Sequence, residues 1–267
     1  MADQMEGILL SENSGGILRL TLNDQKRRNA LSETMLATLS EAFTTAAIDE
    51  SVRVIILAAS GPAFCAGHDL KEITAARAQA DNGQAYFKAL FDACASLMQL
   101  IVRNPKPVIA EVAGVATAAG CQLVASCDLA LASDSALFAT PGVNIGLFCS
   151  TPMVALSRNV SNKQAMEMLL TGDMISAQKA QEIGLINQAL PAEQLQEKTL
   201  AMASKIASKS AMTMAVGKQA FYTQAETSLS EAYSYTSQVM VDNMLKQDAE
   251  EGIGAFIEKR KPNWQDK

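Results

Sequence analysis

Apolar and polar positions change their spacing several times along the chain, and each spacing predicts an element. Ile17, Leu18, Leu20 and Leu22, with Arg19 and Thr21 between them, alternate as a half-buried strand does. Met35, Leu36, Leu39 and Phe43 recur at helical steps behind Ser32, which predicts a helix that Ser32 caps and that runs to about Ala47. VRVIILAAS (52–60) reads as a buried strand ended by Gly61-Pro62. A loop follows, and Asp69 is the N-cap of a new helix. Another strand is expected in PKPVIAEVAG (105–114), a helix start of small residues in ATAAGCQL (116–123), and short strands at 129–132 and 137–139.

Beyond residue 150 the spacing turns helical. Thr151-Pro152 places proline at a first helical position. Ser161 with Gln164 reads as a capping box, and Gly172 and Gly184 suit helix C-terminal positions. No linker divides the chain, but its character changes near residue 190. Strand–strand–helix units fill residues 1–190, and 191–267 is a helical region with Met-rich and Ala-rich faces. Met212, Met214, Phe221, Met240, Met244 and Phe256 exceed what an isolated hairpin needs. They pack either within the chain or against another subunit.

Composition narrows the classes. The 267 residues are 49% hydrophobic and 19% charged, as in an ordinary globular protein. A net charge of −6 argues against a nucleic-acid partner, which needs a basic field. Five cysteines without a CxxC pair fit reduced thiols in a cytoplasmic setting. His68 is the one histidine, so no multi-histidine metal site is expected. Residues 1–10 lack a leader pattern and no 18-residue apolar segment is read further on, so no membrane is expected either.

Two loops carry candidate chemistry. AFCAGHDLKE (63–72) is a small-residue turn between a strand and a helix, open enough at Ala66 and Gly67 for a ligand to approach backbone amides. In GVATAAGCQLVASCDLALAS (114–133), Ala118, Ala119 and Gly120 open a helix at its positive end. Each loop alone also reads as simple packing. Two amides converging on one point would hold an oxygen that gains negative charge. Lys26-Arg27-Arg28 and Lys259-Arg260-Lys261 are either solvated charges or phosphate contacts.

Taken together with KRRNAL (26–31), FATPGVNIGL (138–147), TGDMISAQKAQEIGLIN (171–187) and EGIGAFIEKRKPNW (251–264), these strings resemble the enoyl-CoA hydratase/isomerase (crotonase) superfamily over nearly the whole chain. The chain is especially similar to the enoyl-CoA hydratase domain-containing members of the GHDLKE type. The resemblance implies an α/β fold, a right-handed spiral of β-β-α units with a C-terminal helical trimerisation region, assembled as a homotrimer or a dimer of trimers. It implies an acyl-CoA substrate, coenzyme A entering only as part of that substrate, with no prosthetic group. The Ala66 and Ala119 N–H groups would form an oxyanion hole that stabilises an enolate. Lys26, Arg28, Ala30, Ala66, Gly67, His68, Asp69, Leu70, Gly120 and Pro141 would line the substrate and coenzyme A channel, with Phe256 and Lys259 closing over the adenine and phosphate end.

The chain departs from the family at two decisive positions. The glutamates that hold water and exchange its proton in hydratases fall at Gln122 and Gly142. A positioned acid or base is worth roughly 10²–10⁴ in rate, so standard hydratase activity is in doubt. His68 is expected to contact ligand or structure rather than move protons, and Cys149 and Ser150 to wall the acyl pocket. A bicarbonate or water beside Gly142, as in the naphthoate-synthase branch, is a further expectation. The functional alternatives are an enzyme acting through an enolate, a catalytically silent acyl-CoA binder, and another reaction such as thioester hydrolysis, decarboxylation or carbon–carbon cleavage.

Overall fold

The computed structural model describes residues 7–267, so the absence of a leader pattern read from residues 1–10 lies partly outside the described residues. The chain opens with an antiparallel pair, β1 (Leu9–Ser14) and β2 (Ile17–Leu22), followed by α1 (Glu33–Ile48). Ser32 caps α1 as expected, accepting the Met35 N–H. Next come β3 (Val54–Ala59), β4 (Ala63–Cys65), α2 (Leu70–Ala76) and α3 (Gln84–Arg103). The Asp69 carboxylate takes the Lys71 and Glu72 amides at the start of α2. A second turn contains β5 (Val108–Val112), β6 (Val115–Thr117) and α4 (Ala119–Ser126); a third contains β7 (Leu129–Ser133), β8 (Leu137–Ala139), α5 (Pro152–Leu156) and α6 (Asn162–Thr171). Then follow β9 (Ile175–Ser176), α7 (Ala177–Glu182), β10 (Gln188–Leu190), α8 (Ala192–Ala207), α9 (Ala211–Gln224), α10 (Leu229–Met244) and α11 (Gln247–Ile257).

The strands stack into two sheets, in the order β1-β2-β3-β5-β7-β10 and β4-β6-β8-β9. The step from β3 to β5 to β7 is parallel, as is that from β4 to β6 to β8. Each turn of chain therefore lays one strand on each sheet before its helix. The main core lies between the sheets and helices α1 and α3, with Phe43, Phe64 and Phe138 among its buried side chains. A second cluster seals the other face of the large sheet. There Leu195 and Ala203 of α8 pack on Val54, Ile56, Ile109 and Leu131, so α8 belongs to the sheet although it follows residue 190.

Three expectations change. Ser161 accepts the Gln164 N–H, but the full capping box, with both reciprocal bonds, sits at Ser228 and Glu231 at the head of α10. Residues beyond Ile257 do not continue the helix. They form a tail pinned by Arg53, which grips Asp266 through two hydrogen bonds of 2.6 and 3.1 Å. Finally, α3 is long and apolar enough to cross a membrane by length and composition, contrary to the sequence reading. Its inner face explains that hydropathy: Leu90, Cys94, Leu97, Met98 and Ile101 are buried in the core.

Helices α9 to α11 carry a broad exposed apolar surface that includes Phe221, Met240, Met244 and Phe256. Lys218 of α9 anchors this region to the core. Its ammonium, 2.7 Å from Asp128, also donates to the carbonyls of Ile101 and Lys106.

Candidate functional site

The site begins with a buried asparagine. Asn29 is fully buried at φ +53, and its side chain donates to the Ser60 and Ala63 carbonyls at 2.9 and 2.8 Å while accepting the Asp24 N–H. Those bonds lock the basic loop 24–30 onto the turn between β3 and β4. Leu31 N–H then donates to the Gly67 carbonyl, and Ala66 N–H donates to the Arg28 carbonyl at 3.1 Å. The last bond overturns one expectation. The Ala66 amide already has an acceptor within the chain, so it is not free for a ligand oxygen.

The next two amides differ. Gly67 N–H is close enough to the buried Cys65 thiol to lower its pKa, against the larger rise from burial. His68 N–H has no acceptor among the described residues. Ala118 sits at φ +51, a left-handed conformation costly for a residue with a Cβ, and is held there by its N–H bond to the Ala139 carbonyl. That twist aims the chain into α4 so that Ala119, its first residue, also keeps an unengaged N–H.

Glycines set how closely the two loops meet. A methyl placed on Gly67 would lie 3.0 Å from the Ala118 Cβ and 3.4 Å from the Ala119 nitrogen. One placed on Gly120 would lie 2.0 Å from the Cys65 carbonyl oxygen. Only hydrogen fits at Gly120, and at Gly67 a tight contact joins a φ of +91, so the start of α4 is pressed against the end of β4. Thr117 ties the same seam, its hydroxyl donating to the Ala66 carbonyl at 3.1 Å.

One helical turn beyond Ala119, Gln122 is buried, its Oε1 4.0 Å from the Cys94 thiol on α3. Gly142 lies in the loop after β8. A methyl there would meet the Leu147 carbonyl at 2.7 Å and the Cys149 sulfur at 2.9 Å. The expected hollow beside Gly142 is thus filled by Cys149, which displaces the bicarbonate or water reading. The nearby carboxylates of the 63–72 segment, Asp69 and Glu72, do not replace the two missing ones. Both pair with Arg27, at 3.2 Å each.

His68 has the most unusual side chain in the site. Its Nδ1 lies 3.3 Å from the Leu31 carbonyl, and a carbonyl only accepts, so Nδ1 carries the hydrogen. Nε2 is then a bare acceptor, buried and without a partner. The ring stands edge-on to Phe91 of α3, 5.4 Å between centroids. Burial lowers its pKa below the ordinary histidine value and so keeps the ring neutral. Thr140 Oγ1, two residues before Gly142, is a second buried polar atom without a partner.

The remaining expected residues divide into two groups. Lys26, Arg28 and Leu70 are exposed around the mouth of the two loops, while Ala30 and Asp69 are buried beneath it and Pro141 is half-buried beside Gly142. Phe256 and Lys259 stand apart. Phe256 is 84% exposed, and among the described residues neither forms a hydrogen bond or ion pair with loop 24–30. Among the described residues no cluster of His, Cys, Asp or Glu could hold a metal ion. The sequence alone gave no signal for the His68 amide, for Phe91 or for Cys94, since which amide a turn leaves free depends on the neighbouring loop.

Two parallel ladders stacked turn by turn, closed by glycine-packed loops, define an α/β protein of the crotonase fold. A family model described as enoyl-CoA hydratase/isomerase matches residues 12–267, and the chain belongs to that family. It is 52% identical over 249 residues to the rat enoyl-CoA hydratase domain-containing protein 3, mitochondrial, covering 93% of this chain and 81% of that protein. It is 48% identical to the zebrafish (Danio rerio) protein of the same name, covering 99% and 90% of the two chains. Among solved structures, a Mycobacterium smegmatis enoyl-CoA hydratase superposes with a TM-score of 0.92 at 52% identity, over 97% and 99% of the chains. Human enoyl Coenzyme A hydratase domain-containing protein 3 gives 0.92 at 48% identity, over 97% and 100%.

Proposed function

We propose that this protein binds an acyl-CoA thioester and polarises its carbonyl between the N–H groups of His68 and Ala119, acting through an enolate. The observation that carries the reading is the pair of unengaged amides on two loops that Gly67 and Gly120 hold in contact. Preorganised donors of this kind are worth about 10²–10³ in rate apiece, because they need no rearrangement when charge develops. Family membership supports the substrate class. Exposed Lys26 and Arg28, which make no ion pair among the described residues, suit the coenzyme phosphates.

Hydration of a double bond is a weak activity in this reading. Gln122 can orient a water but cannot take its proton, and Cys149 fills the space beside Gly142. A silent acyl-CoA binder is the second reading, favoured by the same two substitutions. A homotrimer, alone or paired, would cover the exposed apolar face of α9 to α11 and bring Phe256 and Lys259 to a neighbouring site. Five free, buried cysteines fit a reducing compartment, either cytoplasm or the mitochondrial location in the relatives' names.

The test is titration of the purified protein with crotonyl-CoA alongside a hydration assay. Saturable binding with slow or no hydration is expected. Failure to bind would overturn the acyl-thioester reading, and rapid hydration would overturn the assignment of a weak hydratase.

A further inference from the structure

Catalysis through an enolate needs a base, and the two family carboxylates are absent. We infer that the His68 imidazole is that base, its Nε2 taking the proton from the carbon next to the thioester carbonyl. The assignment rests on the acyl-thioester reading above. Three features of the ring carry it.

First, the Leu31 carbonyl fixes the tautomer through Nδ1, so the lone pair sits on Nε2. A base oriented by a second group is the arrangement that proton transfer requires. Second, Nε2 is buried without a partner, and an orphaned acceptor is costly to a fold unless something bound there uses it. Third, the ring belongs to the residue whose own amide is unengaged, on the loop that Gly67 packs against Ala118 and Ala119. The base and one oxyanion donor thus share a single residue, placed by the bridge between Leu31 and His68. Phe91 supports the ring from α3, and one turn further along that helix Cys94 touches Gln122.

The titratable groups on the adjoining loop and helices are engaged or raised in pKa. Asp69 is engaged by Arg27 and by the α2 amides, and Glu72 by Arg27 and the Glu33 amide. Desolvation pushes the Cys65 and Cys94 thiols up to about 12, and burial above all does the same to the Tyr86 phenol. Gln122 does not titrate.

In the step itself the C2–H bond breaks and its proton moves to Nε2. The C–H electron pair forms the C1–C2 double bond, and the carbonyl π pair moves onto oxygen, between the His68 and Ala119 amides. The imidazolium then faces the enolate it created, and the attraction stabilises both. Return of the proton to C2 regenerates the thioester, so in heavy water the enzyme exchanges C2 hydrogen for deuterium. No co-reactant is consumed.

The experiment follows butyryl-CoA in D2O by mass spectrometry, with binding and thermal stability measured in parallel. Wild type should incorporate deuterium at C2. His68→Phe, which preserves the packing on Phe91 and the backbone amide, and His68→Gln, which keeps a polar side chain, should each lose at least ~100-fold in exchange rate. Both should bind butyryl-CoA within severalfold of wild type. Exchange by His68→Phe or His68→Gln within tenfold of wild type would overturn the assignment. Bound but non-exchanging wild type would overturn it while leaving thioester binding intact. Failure of butyryl-CoA to bind would remove the acyl-thioester reading and this inference with it.

Discussion

Adding one methyl group at Gly120 tests how the site is built. The added Cβ would lie 2.0 Å from the Cys65 oxygen, 2.7 Å from its carbonyl carbon and 2.9 Å from its Cβ, against 3.4 Å for ordinary contact. None of those atoms is the end of a flexible side chain. Cys65 is held in β4 by its pairing with Ala116, so α4 must move away from β4 by on the order of 1 Å. Overpacking of this kind costs roughly 1–3 kcal/mol in stability. Displacing a positioned group by ~1 Å costs ~10²-fold, similar to the value of an oxyanion donor. Acetoacetyl-CoA is the appropriate probe, because its ionised form is an enolate with its own ultraviolet band. Wild type should bind that anion and raise its share of the ligand, and Gly120→Ala should bind it about 100-fold more weakly while remaining folded. Gly217→Ala is the control. Gly217 is exposed on α9 with nothing within 4 Å of an added Cβ, so alanine there should raise helix stability by up to ~1 kcal/mol and leave binding unchanged. Gly120→Ala that binds the enolate as wild type does would refute the reasoning.

Three further outcomes follow from the same geometry. Gly142→Glu should lower the melting temperature by the equivalent of ~1–3 kcal/mol and restore no crotonyl-CoA hydration, because its Cβ meets Leu147 and Cys149 before the carboxylate reaches the site. A gain in hydration would contradict that placement. Asn29→Ala removes the partner of three backbone groups, one buried and two half-buried, and should destabilise by about 2–4 kcal/mol in chemical denaturation, with weaker acyl-CoA binding from the loosened 24–30 loop. For the pH dependence, the folded pKa of His68 lies below its unfolded value of 6.5. Stability is therefore complete above that pH and falls below it, where the unfolded chain binds the extra proton, at up to ~1.4 kcal/mol per pH unit. Urea melts from pH 7.5 to 5 should show that loss in wild type and a smaller one in His68→Phe. Parallel curves would contradict the burial argument.

Much of the fold is legible because it depends on local spacing. The period of Met35 to Phe43, the apolar run of β3 and the caps at Ser32 and Asp69 all signal through neighbouring residues. The short strands β4 and β6 have only three residues each, too few to show a period, and they exist because they pair with each other. The two candidate loops were legible as small-residue turns, but which amide each leaves free was not. The bond from Ala66 to the Arg28 carbonyl joins residues far apart in the sequence, and it leaves the His68 amide unengaged rather than that of Ala66. The same holds for Cys149, whose position against Gly142 is set by the path of the 140–150 loop rather than by local spacing.

The central claim is that a thioester carbonyl lies between the His68 and Ala119 amides, and vibrational spectroscopy reports on that directly. Butyryl-CoA carrying ¹³C at the thioester carbonyl would be bound to wild type and to Gly120→Ala, and its carbonyl stretch read by isotope-edited difference spectra. The account predicts a shift to lower frequency on binding to wild type that is largely lost in the variant. A bound thioester whose carbonyl stretch matches that of the free ligand would contradict it.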